Sequence, residues 1–342
     1  MPERAPSVLY LVVPGLLDRV AGWQADFGDV GHYPALEWLL ARADAEQEQG
    51  AGVEAVLCAL FGVHGPVPAG ALRRLALTGR RDPGRWMCMD PVHLEAGMKD
   101  LVLTDPGQLH LQTEEARALV GRINAYLADD ALQVEATTAD RWHLCLPESM
   151  PTPDTVSLSR VSGRPINAFL PAGGDARFWH RRLNELQMLL FDAPENRARE
   201  ARGLPTVNSV WPWGAGGLPG TVHAPFSRIY GDDPLVAGLA RCADLSVAPL
   251  PDTAETVLAG GGTRLVCLDT LSGDVARDDL EAWQAGMEGL EAAWFAPLRR
   301  ALGSSALRHL RVYSTCGPVF DLVPGARWRL WRRARPLAAF AP

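Results

Sequence analysis

Residues 193–220 combine arginines, asparagines and tryptophans at a spacing that could form an anion-binding pocket. Guanidinium groups bind carboxylates and phosphates through paired N–H donors, and asparagine amides add neutral donors beside them. Glycine lets the backbone pass close to a ligand, and four glycines follow the tryptophans within seven residues. The chemistry that this composition indicates is the binding of an anion. The candidate residues are Asn196, Arg197, Arg199, Asn208, Trp211 and Trp213.

A purely structural interpretation of the same stretch stays open. The pattern predicts a short basic helix, a turn at Gly203 and Pro205, a brief strand and a loop rich in tryptophan and glycine. A buried tryptophan pair beneath that loop, with a solvated arginine face on the helix, would need the same residues. The residues alone do not separate an anion pocket from a packed corner.

Acidic side chains follow two predicted strands and are weak candidates for a metal site. Asp18 follows the apolar run 7–13, and Asp269 and Asp274 follow the run 263–268. Ligands of a parallel α/β sheet bind beyond the carboxyl ends of its strands. A catalytic metal site also needs imidazoles or further carboxylates there, and neither run has a histidine close after it. The sequence therefore predicts no bound metal.

His143 is a candidate for ligand binding or proton transfer, since imidazole titrates near neutral pH. A lone histidine on a strand can equally be a structural hydrogen-bonding residue. No G-x-S-x-G, G-x-G-x-x-G or G-x-x-x-x-G-K-[ST] motif occurs. Nucleotide binding through these motifs is therefore not expected, and no organic cofactor is predicted.

The C-terminal segment interleaves arginines with Trp328 and Trp331. This pattern could form a basic contact surface for a protein partner or a nucleic acid. An edge strand whose charged residues face outward explains the pattern equally well. The arginines are Arg327, Arg329, Arg332, Arg333 and Arg335.

The composition limits the classes of partner. The chain has 342 residues and a net charge of −7, which argues against general affinity for nucleic acid. No apolar run approaches the roughly 18 residues that cross a bilayer, so we expect a cytoplasmic protein without a membrane partner. The six cysteines are widely spaced in apolar stretches, which is typical of reduced core residues.

Strand and helix signals alternate at both ends of the chain, and this alternation predicts an α/β core with a mainly parallel sheet. The run 7–13 is β-rich throughout, as expected of a central strand buried on both faces. Between residues 84 and 170, short strands surround one helix at 113–127. We therefore expect a core made of residues 1–83 and 171–342, with residues 84–170 inserted as a smaller α+β subdomain.

Four segments resemble archaeal-type cofactor-independent phosphoglycerate mutases of the alkaline phosphatase superfamily, and RpfE-type regulatory proteins more closely still. The segments are Leu11–Arg19, Thr113–Ala116 with Ile123–Asn124, Glu195–Arg199 and Asn208–Gly214. The resemblance implies an alkaline phosphatase-like core. It also implies a pocket for a phosphorylated or carboxylated metabolite with basic residues around it, at Arg197, Arg199, Arg141 and Arg85.

The chain departs from the family where the resemblance places catalysis. The mutases use two divalent metals and a phosphorylated serine. Pro14 stands where the family has a metal-binding aspartate, and Val53 lies nearest to the position of the serine. Proline and valine offer no side-chain oxygen to a cation or an electrophile. A late Asp-x-x-Gly-His motif falls near residues 271–275, but no histidine occurs between His223 and His309.

These departures favour a protein without catalytic residues, a regulatory pseudoenzyme that binds a small anion on a mutase-like scaffold. A phosphoryl-transfer enzyme with a rebuilt site, such as a phosphoglycerate mutase or a phosphatase, is the alternative from another class. A protein-interaction scaffold that uses the C-terminal segment is a third. Turnover with manganese, ligand-induced thermal stabilisation or a co-purifying partner would distinguish the three.

Overall fold

The computed structural model describes residues 7–47, 52–97, 100–173, 176–304 and 306–342. Its strands are β1 (Val8–Val12), β2 (Asp44–Gln47), β3 (Arg85–Ala96), β4 (Leu101–Thr104), β5 (Gln133–Ala136), β6 (Trp142–Leu146), β7 (Ser209–Gly216), β8 (Arg228–Tyr230), β9 (Val247–Ala248), β10 (Thr263–Cys267), β11 (His309–Tyr313) and β12 (Pro318–Leu322).

The α-helices, named in the same way along the chain, are α1 (Val20–Phe27), α2 (Pro34–Arg42), α3 (Val53–Leu60), α4 (Ala69–Thr78), α5 (Thr113–Leu127), α6 (Leu158–Val161), α7 (Ala176–Phe191), α8 (Pro194–Glu200), α9 (Pro234–Cys242), α10 (Ala254–Leu258), α11 (Ser272–Ala276), α12 (Leu280–Leu290) and α13 (Ala296–Gly303). A single turn of π-helix, Glu291–Phe295, lies between the last two. None of the helices in the described ranges is both long and apolar enough to cross a bilayer.

The chain divides into two compact units. The first unit contains residues 1–62, 223–236 and 243–342, and the second contains residues 63–222 and 237–242. The second unit therefore begins earlier and ends later than the expected insertion at 84–170, and the two units are of comparable length.

The first unit is a mixed α/β structure with a largely parallel sheet, as expected. Among the described residues, seven strands form this sheet in the order β2-β12-β11-β1-β10-β8-β9, and the antiparallel pairs are β11–β12 and β12–β2. β1 is central and pairs in parallel with β10 and β11. Leu9 and Leu11 of β1 are buried with apolar residues of α2, α12 and α13. The continuous apolar run at residues 7–13 is explained by this central position.

The second unit is built on an antiparallel sheet whose longest strand is β3. β3 pairs with β7 along one edge, and with β6 and then β4 along the other, while β5 pairs with β6. Alternate residues of β3 face opposite sides. Met87 and Met89 join the apolar core, to which α5 contributes Leu119 and α7 contributes Leu186. The opposite side carries polar residues and is covered by α4.

The boundaries of the second unit follow from pairing between segments distant in sequence. β7 pairs with β3 over residues 86–92, more than a hundred residues earlier in the chain. α4 lies so close to β3 that a Cβ on Gly70 would be 2.6 Å from the Cα of Met87. Both elements therefore belong to the second unit, although a local sequence pattern assigned them to the α/β core.

Two local predictions are wrong in their secondary structure. Trp211–Gly216 form the second part of β7 rather than a loop, because their backbone pairs with β3. Residues 327–335 do not form an edge strand: Pro324–Trp328 is a 3-10 helix, and turns follow it. The short helix expected before Gly203 is present as α8.

Candidate functional site

Apolar groups occupy the carboxyl end of β1, the position where the resemblance would place a metal. Pro14 and Gly15 are buried there, and Leu271 is fully buried beside them. Gly15 has φ +80°, and a Cβ on it would lie 2.9 Å from the carbonyl carbon of Leu271. The carbonyl of Gly15 accepts a 2.9 Å hydrogen bond from the Trp283 indole. These residues do not fit a cation, because they offer backbone and hydrocarbon where ligand oxygens are needed.

The three aspartates considered as metal ligands make other contacts. Asp269 is exposed and accepts a hydrogen bond from the Ser272 hydroxyl. Asp274 of α11 forms an ion pair with Arg277, the residue that follows this helix. Asp18 is close enough to Cys316 that, after burial, its charge helps raise the pKa of that thiol to about 11. Among the described residues, no three His, Cys, Asp or Glu side chains are grouped so that they could hold a metal ion.

The sequence interpretation missed Asp232 and Asp233, which follow β8 near the same end of the sheet. Burial raises the pKa of the Cys267 thiol well above its usual value, and the charges of Asp233, Asp269 and Asp232 add to this effect. The Asp233 carboxylate accepts a 2.6 Å hydrogen bond from the Leu235 amide at the start of α9. Their position directly after a predicted strand is the sequence feature that could have marked them as candidate ligands at this end of the sheet.

Arg199, a principal anion candidate, is fully buried and bonded within the protein. Its guanidinium forms a 2.9 Å ion pair with Glu115 of α5 and donates to the carbonyls of Leu109 and Pro205. Arg197 is 67% exposed and lies 3.5 Å from Asp192. The two arginines therefore differ: one ties α8 to α5, and the other points to solvent.

The two candidate asparagines hold backbone segments together. The buried Asn196 side chain donates to the carbonyls of Leu190 and Val207 and accepts from the Val207 amide, with all three distances at 2.8 Å. Asn208 exchanges hydrogen bonds of 2.7 and 2.9 Å with the backbone of Leu94 on β3. Their amide groups are thus used in fixing α8 and the start of β7.

Arg85 and Arg141 lie at different places in the second unit. One nitrogen of Arg85 donates to the carbonyls of Glu148 and Met150, at 3.1 and 2.8 Å. Arg141 is a third exposed and pairs with its neighbour Asp140 at 2.7 Å. Arg141 directly precedes β6, and its charge helps lower the pKa of His143, which lies on that strand.

A row of side chains beneath α4 brings together three candidates from the sequence. His143 of β6 and Trp213 of β7 lie on either side of Cys88 of β3 in the strand register. Trp211 is the register partner of Asp90, two residues beyond Cys88, and its indole donates to the Val156 carbonyl at 2.9 Å. The strand period of two places these side chains on one face of the sheet.

Arg73 of α4 closes this row from above. Its guanidinium lies 3.1 Å from Asp90 and 3.6 Å from the sulfur of Cys88, and it stacks 5.0 Å above the Trp213 ring. The Trp213 indole donates to the same Asp90 oxygen at 2.9 Å. The other Asp90 oxygen is buried without a hydrogen bond.

Arg74 extends the polar face toward solvent. It stacks 3.7 Å from the Trp86 ring and forms a 2.8 Å ion pair with Glu135, which is a third exposed. A second carboxylate, that of Asp82, lies 3.6 Å away. The sequence interpretation missed Arg73, Arg74 and Asp90, and the one signal was an Arg-Arg pair inside an otherwise apolar helix.

His143 is neutral at the centre of this cluster. Burial lowers the pKa of His143 to about 3, and the positive charges of Arg73, Arg74 and Arg141 add to the effect. Its Nδ1 is 2.7 Å from the hydroxyl of Thr137, while its Nε2 is buried without a hydrogen bond. The ring is therefore uncharged at neutral pH with three guanidinium groups near it, and one polar ring atom is unsatisfied.

Comparison with known proteins relates the chain to one group of enzymes over part of its length. No family model matches the chain. It is 28% identical over 161 residues to a Geobacter sulfurreducens protein named "Probable 2,3-bisphosphoglycerate-independent phosphoglycerate mutase". The matched region covers 46% of this chain and 40% of that protein. It is 33% identical over 104 residues to such a mutase from Methanothrix thermoacetophila, covering 28% and 26% of the two chains. The matched regions are thus well under half of these relatives.

One solved structure is similar to this chain over nearly its whole length. The PH0037 protein from Pyrococcus horikoshii matches 99% of this chain and 93% of its own, with a TM-score of 0.53 and 15% sequence identity. A cofactor-independent phosphoglycerate mutase from Thermoplasma acidophilum covers 94% of this chain with a TM-score of 0.41. The PH0037 match supports the α/β fold. The sequence matches support a relationship to cofactor-independent phosphoglycerate mutases.

Proposed function

We propose that this protein is a non-catalytic regulatory protein that binds a small anion on a phosphoglycerate mutase-like scaffold. The observation that carries the first half is the closed carboxyl end of β1. Leu271 packs against Gly15 there, and Pro14 is buried beside them. Metal-assisted phosphoryl transfer needs several oxygen or nitrogen ligands grouped at that edge. A buried leucine and a proline supply no side-chain ligand, and no three His, Cys, Asp or Glu side chains of the described residues are grouped to hold a metal ion.

The second half of the proposal assigns the anion to the polar face beneath α4. The Nε2 of His143 is unsatisfied, the guanidinium groups of Arg73, Arg74 and Arg141 lie near the ring, and neutral imidazole can present an N–H there. Arg141 is a third exposed, so an anion could approach from its side of the cluster. A phosphate or carboxylate group of a metabolite fits this combination of a neutral donor and a guanidinium fork.

Calorimetric titration with phosphate, 3-phosphoglycerate and citrate tests the binding half. We expect heat with at least one of them, and an affinity about tenfold lower in Arg141→Gln, the loss of one charge-assisted contact. Arg197→Gln is the matched control, since this arginine is exposed and distant in sequence from the row. Absence of heat with all three anions, or equal loss in both variants, would contradict the proposed site.

Phosphoryl transfer by a rebuilt site is the second candidate, and the names of the sequence relatives favour it. Its test is turnover of 2- and 3-phosphoglycerate and of p-nitrophenyl phosphate with manganese, magnesium, zinc and cobalt. We expect no turnover above that of a Trp283→Phe, Leu271→Ala variant, in which the closed end of β1 is disturbed. Metal-dependent turnover by the wild-type protein alone would exclude the non-catalytic assignment.

A further inference from the structure

Large apolar side chains are exposed together near the C-terminus of the first unit. Trp328 is 66%, Leu330 69% and Trp331 76% exposed, within four residues. Arg333 is exposed beside them. We call these four residues the C-terminal patch. Clustered exposed tryptophans flanked by arginine are typical of interaction surfaces, because both residue types are enriched among those that contribute most to binding.

Neighbouring arginines hold the backbone of the patch in place. Arg329 binds both carboxylate oxygens of Asp44, at 2.8 and 2.6 Å, and the carbonyl of Arg42 at 2.9 Å. Arg332 binds Asp44 at 3.0 Å and the carbonyl of Ala43. The tryptophans are thus displayed on a fixed turn, so little conformational entropy is lost when they are covered.

The same contacts place the patch beside the edge of the sheet. Asp44 is the first residue of β2, and β2 pairs with β12 along one side. Within the described ranges no strand pairs with its other side, and all four residues of β2 are exposed. An open strand edge offers amide and carbonyl groups to an extended chain. This feature favours a peptide partner over a lipid surface or a nucleic acid.

The charges around the patch favour an acidic partner. Five arginines lie between residues 327 and 335, and two of them, Arg329 and Arg332, bind the Asp44 carboxylate. Glu46, the other acidic residue of β2, pairs with Arg311 at 3.2 Å. The segment is therefore a basic region on a chain whose net charge is −7. A symmetric contact with a second copy would oppose arginines to arginines, which disfavours self-association here.

We propose that the C-terminal patch and the open edge of β2 bind an extended acidic segment of another protein, with apolar side chains at alternate positions. The bound segment pairs with β2 through its backbone. Its apolar side chains cover Trp328 and Trp331, and its carboxylates meet Arg333 and Arg335. This inference is independent of the proposed anion site, which lies on other residues.

A fluorescent ten-residue peptide that alternates glutamate with leucine and valine is the probe, measured by anisotropy with the full-length chain. We expect saturable binding that weakens at least tenfold in Trp328→Ser, Trp331→Ser and in Arg333→Glu, Arg335→Glu. We expect a similar loss when alternate backbone amides of the peptide are N-methylated, because the methyl groups remove strand pairing. Met188→Ser, Phe191→Ser is the matched control, since both residues are about three-quarters exposed elsewhere. Thermal unfolding verifies that each variant is folded.

Three results would overturn the proposal. The first is equal binding of the probe by the wild-type protein and the tryptophan variant, or no binding by either. The second is binding of phosphatidylserine vesicles or single-stranded oligonucleotide, in place of the peptide, that requires Trp328 and Trp331. The third is a dimer in sedimentation that the tryptophan variant dissociates.

Discussion

At the scale of single residues, the same side-chain type has opposite roles in α8. Arg199 is fully buried and bonded to Glu115, whereas Arg197 is 67% exposed and has a distant partner. Removing the buried Arg199 guanidinium takes the donor from the Leu109 and Pro205 carbonyls and one of two arginine partners, the other being Arg202, from Glu115. An exposed ion pair contributes little. The helix therefore needs one of these arginines for stability and not the other.

We expect Arg199→Met to lower the free energy of unfolding by about 3 kcal/mol. We expect Arg197→Met, two residues away, to change it by less than about 0.5 kcal/mol. Urea unfolding followed by circular dichroism measures both. Similar effects of the two variants would show that Arg199 is not the structural contact described above.

His143 makes stability depend on pH. Burial and three arginines hold the pKa of His143 at about 3, below the ordinary value of 6.5. His143 binds a proton near pH 6.5 in the unfolded chain but only near pH 3 in the folded protein. Lowering the pH from about 6.5 to about 3 therefore favours unfolding. Because of His143, the free energy of unfolding should fall by on the order of 3 kcal/mol between pH 7 and pH 4.

His143→Gln keeps a polar group near Thr137 but cannot take up the proton. We expect its free energy of unfolding to fall less between pH 7 and pH 4 than that of the wild-type protein. Urea titrations at the two pH values measure the difference. Equal falls would mean that His143 titrates normally in the folded protein.

The candidate residues could be selected from sequence, but their partners could not. Guanidinium and amide side chains in residues 193–220 indicated polar contacts, and Arg199 and Asn196 do make them, with backbone carbonyls and with Glu115. To distinguish an anion pocket from a packed corner, one must know the position of α5, which supplies Glu115. The sequence does not indicate the contact between Arg73 and Asp90, because one residue lies in α4 and the other in β3 and neither has a polar motif around it.

At the scale of elements, close contact between α4 and β3 explains a glycine within a helix. A Cβ on Gly70 would meet the Cα of Met87 and the carbonyl of Trp86, both at 2.6 Å. Gly121 of α5 has no neighbour within 4 Å of the same position. Helix propensity alone would favour alanine at both sites.

We expect Gly70→Ala to lower the free energy of unfolding by about 1–3 kcal/mol, as overpacking does. We expect Gly121→Ala to raise it by up to about 1 kcal/mol. Chemical denaturation of the two variants makes the comparison. A stabilising Gly70→Ala would contradict the closeness of α4 to the sheet.

Elements with a strong local pattern were predicted well, and those defined by distant pairing were not. β1 and α5 are near their expected positions because the first is apolar throughout and the second begins with a capping box. Residues 211–216 were expected to be a loop because proline and glycine dominate locally. Their pairing with β3 determines the strand, and no local pattern reveals that pairing.

At the scale of the whole molecule, the alternation of strands and helices predicted the α/β class and the mainly parallel sheet. The expected domain boundaries differ from the division seen in the structure because contacts between segments distant in sequence, such as the pairing of β7 with β3, determine that division. Residues 63–83 and 171–222 contain α4, α7, α8 and β7, whose contacts are with β3 and the core beneath it. Amphipathic helices have the same pattern in either unit.

We expect the fragment 63–242 to fold with one cooperative transition, because it contains the whole antiparallel sheet and its helices. The fragment 84–170 lacks β7, α4 and α7, and should remain unfolded. Circular dichroism and amide chemical-shift dispersion distinguish the outcomes. A folded 84–170 fragment would support the boundaries expected from the sequence.

The central claim is that the carboxyl end of β1 does not hold catalytic metal. The most direct measurement is an anomalous difference map from crystals grown with manganese, recorded near its absorption edge. We expect no pair of peaks within bonding distance of Asp18, Asp269 and Asp274. Two manganese ions bound between these residues would contradict the claim and restore the phosphoryl-transfer alternative.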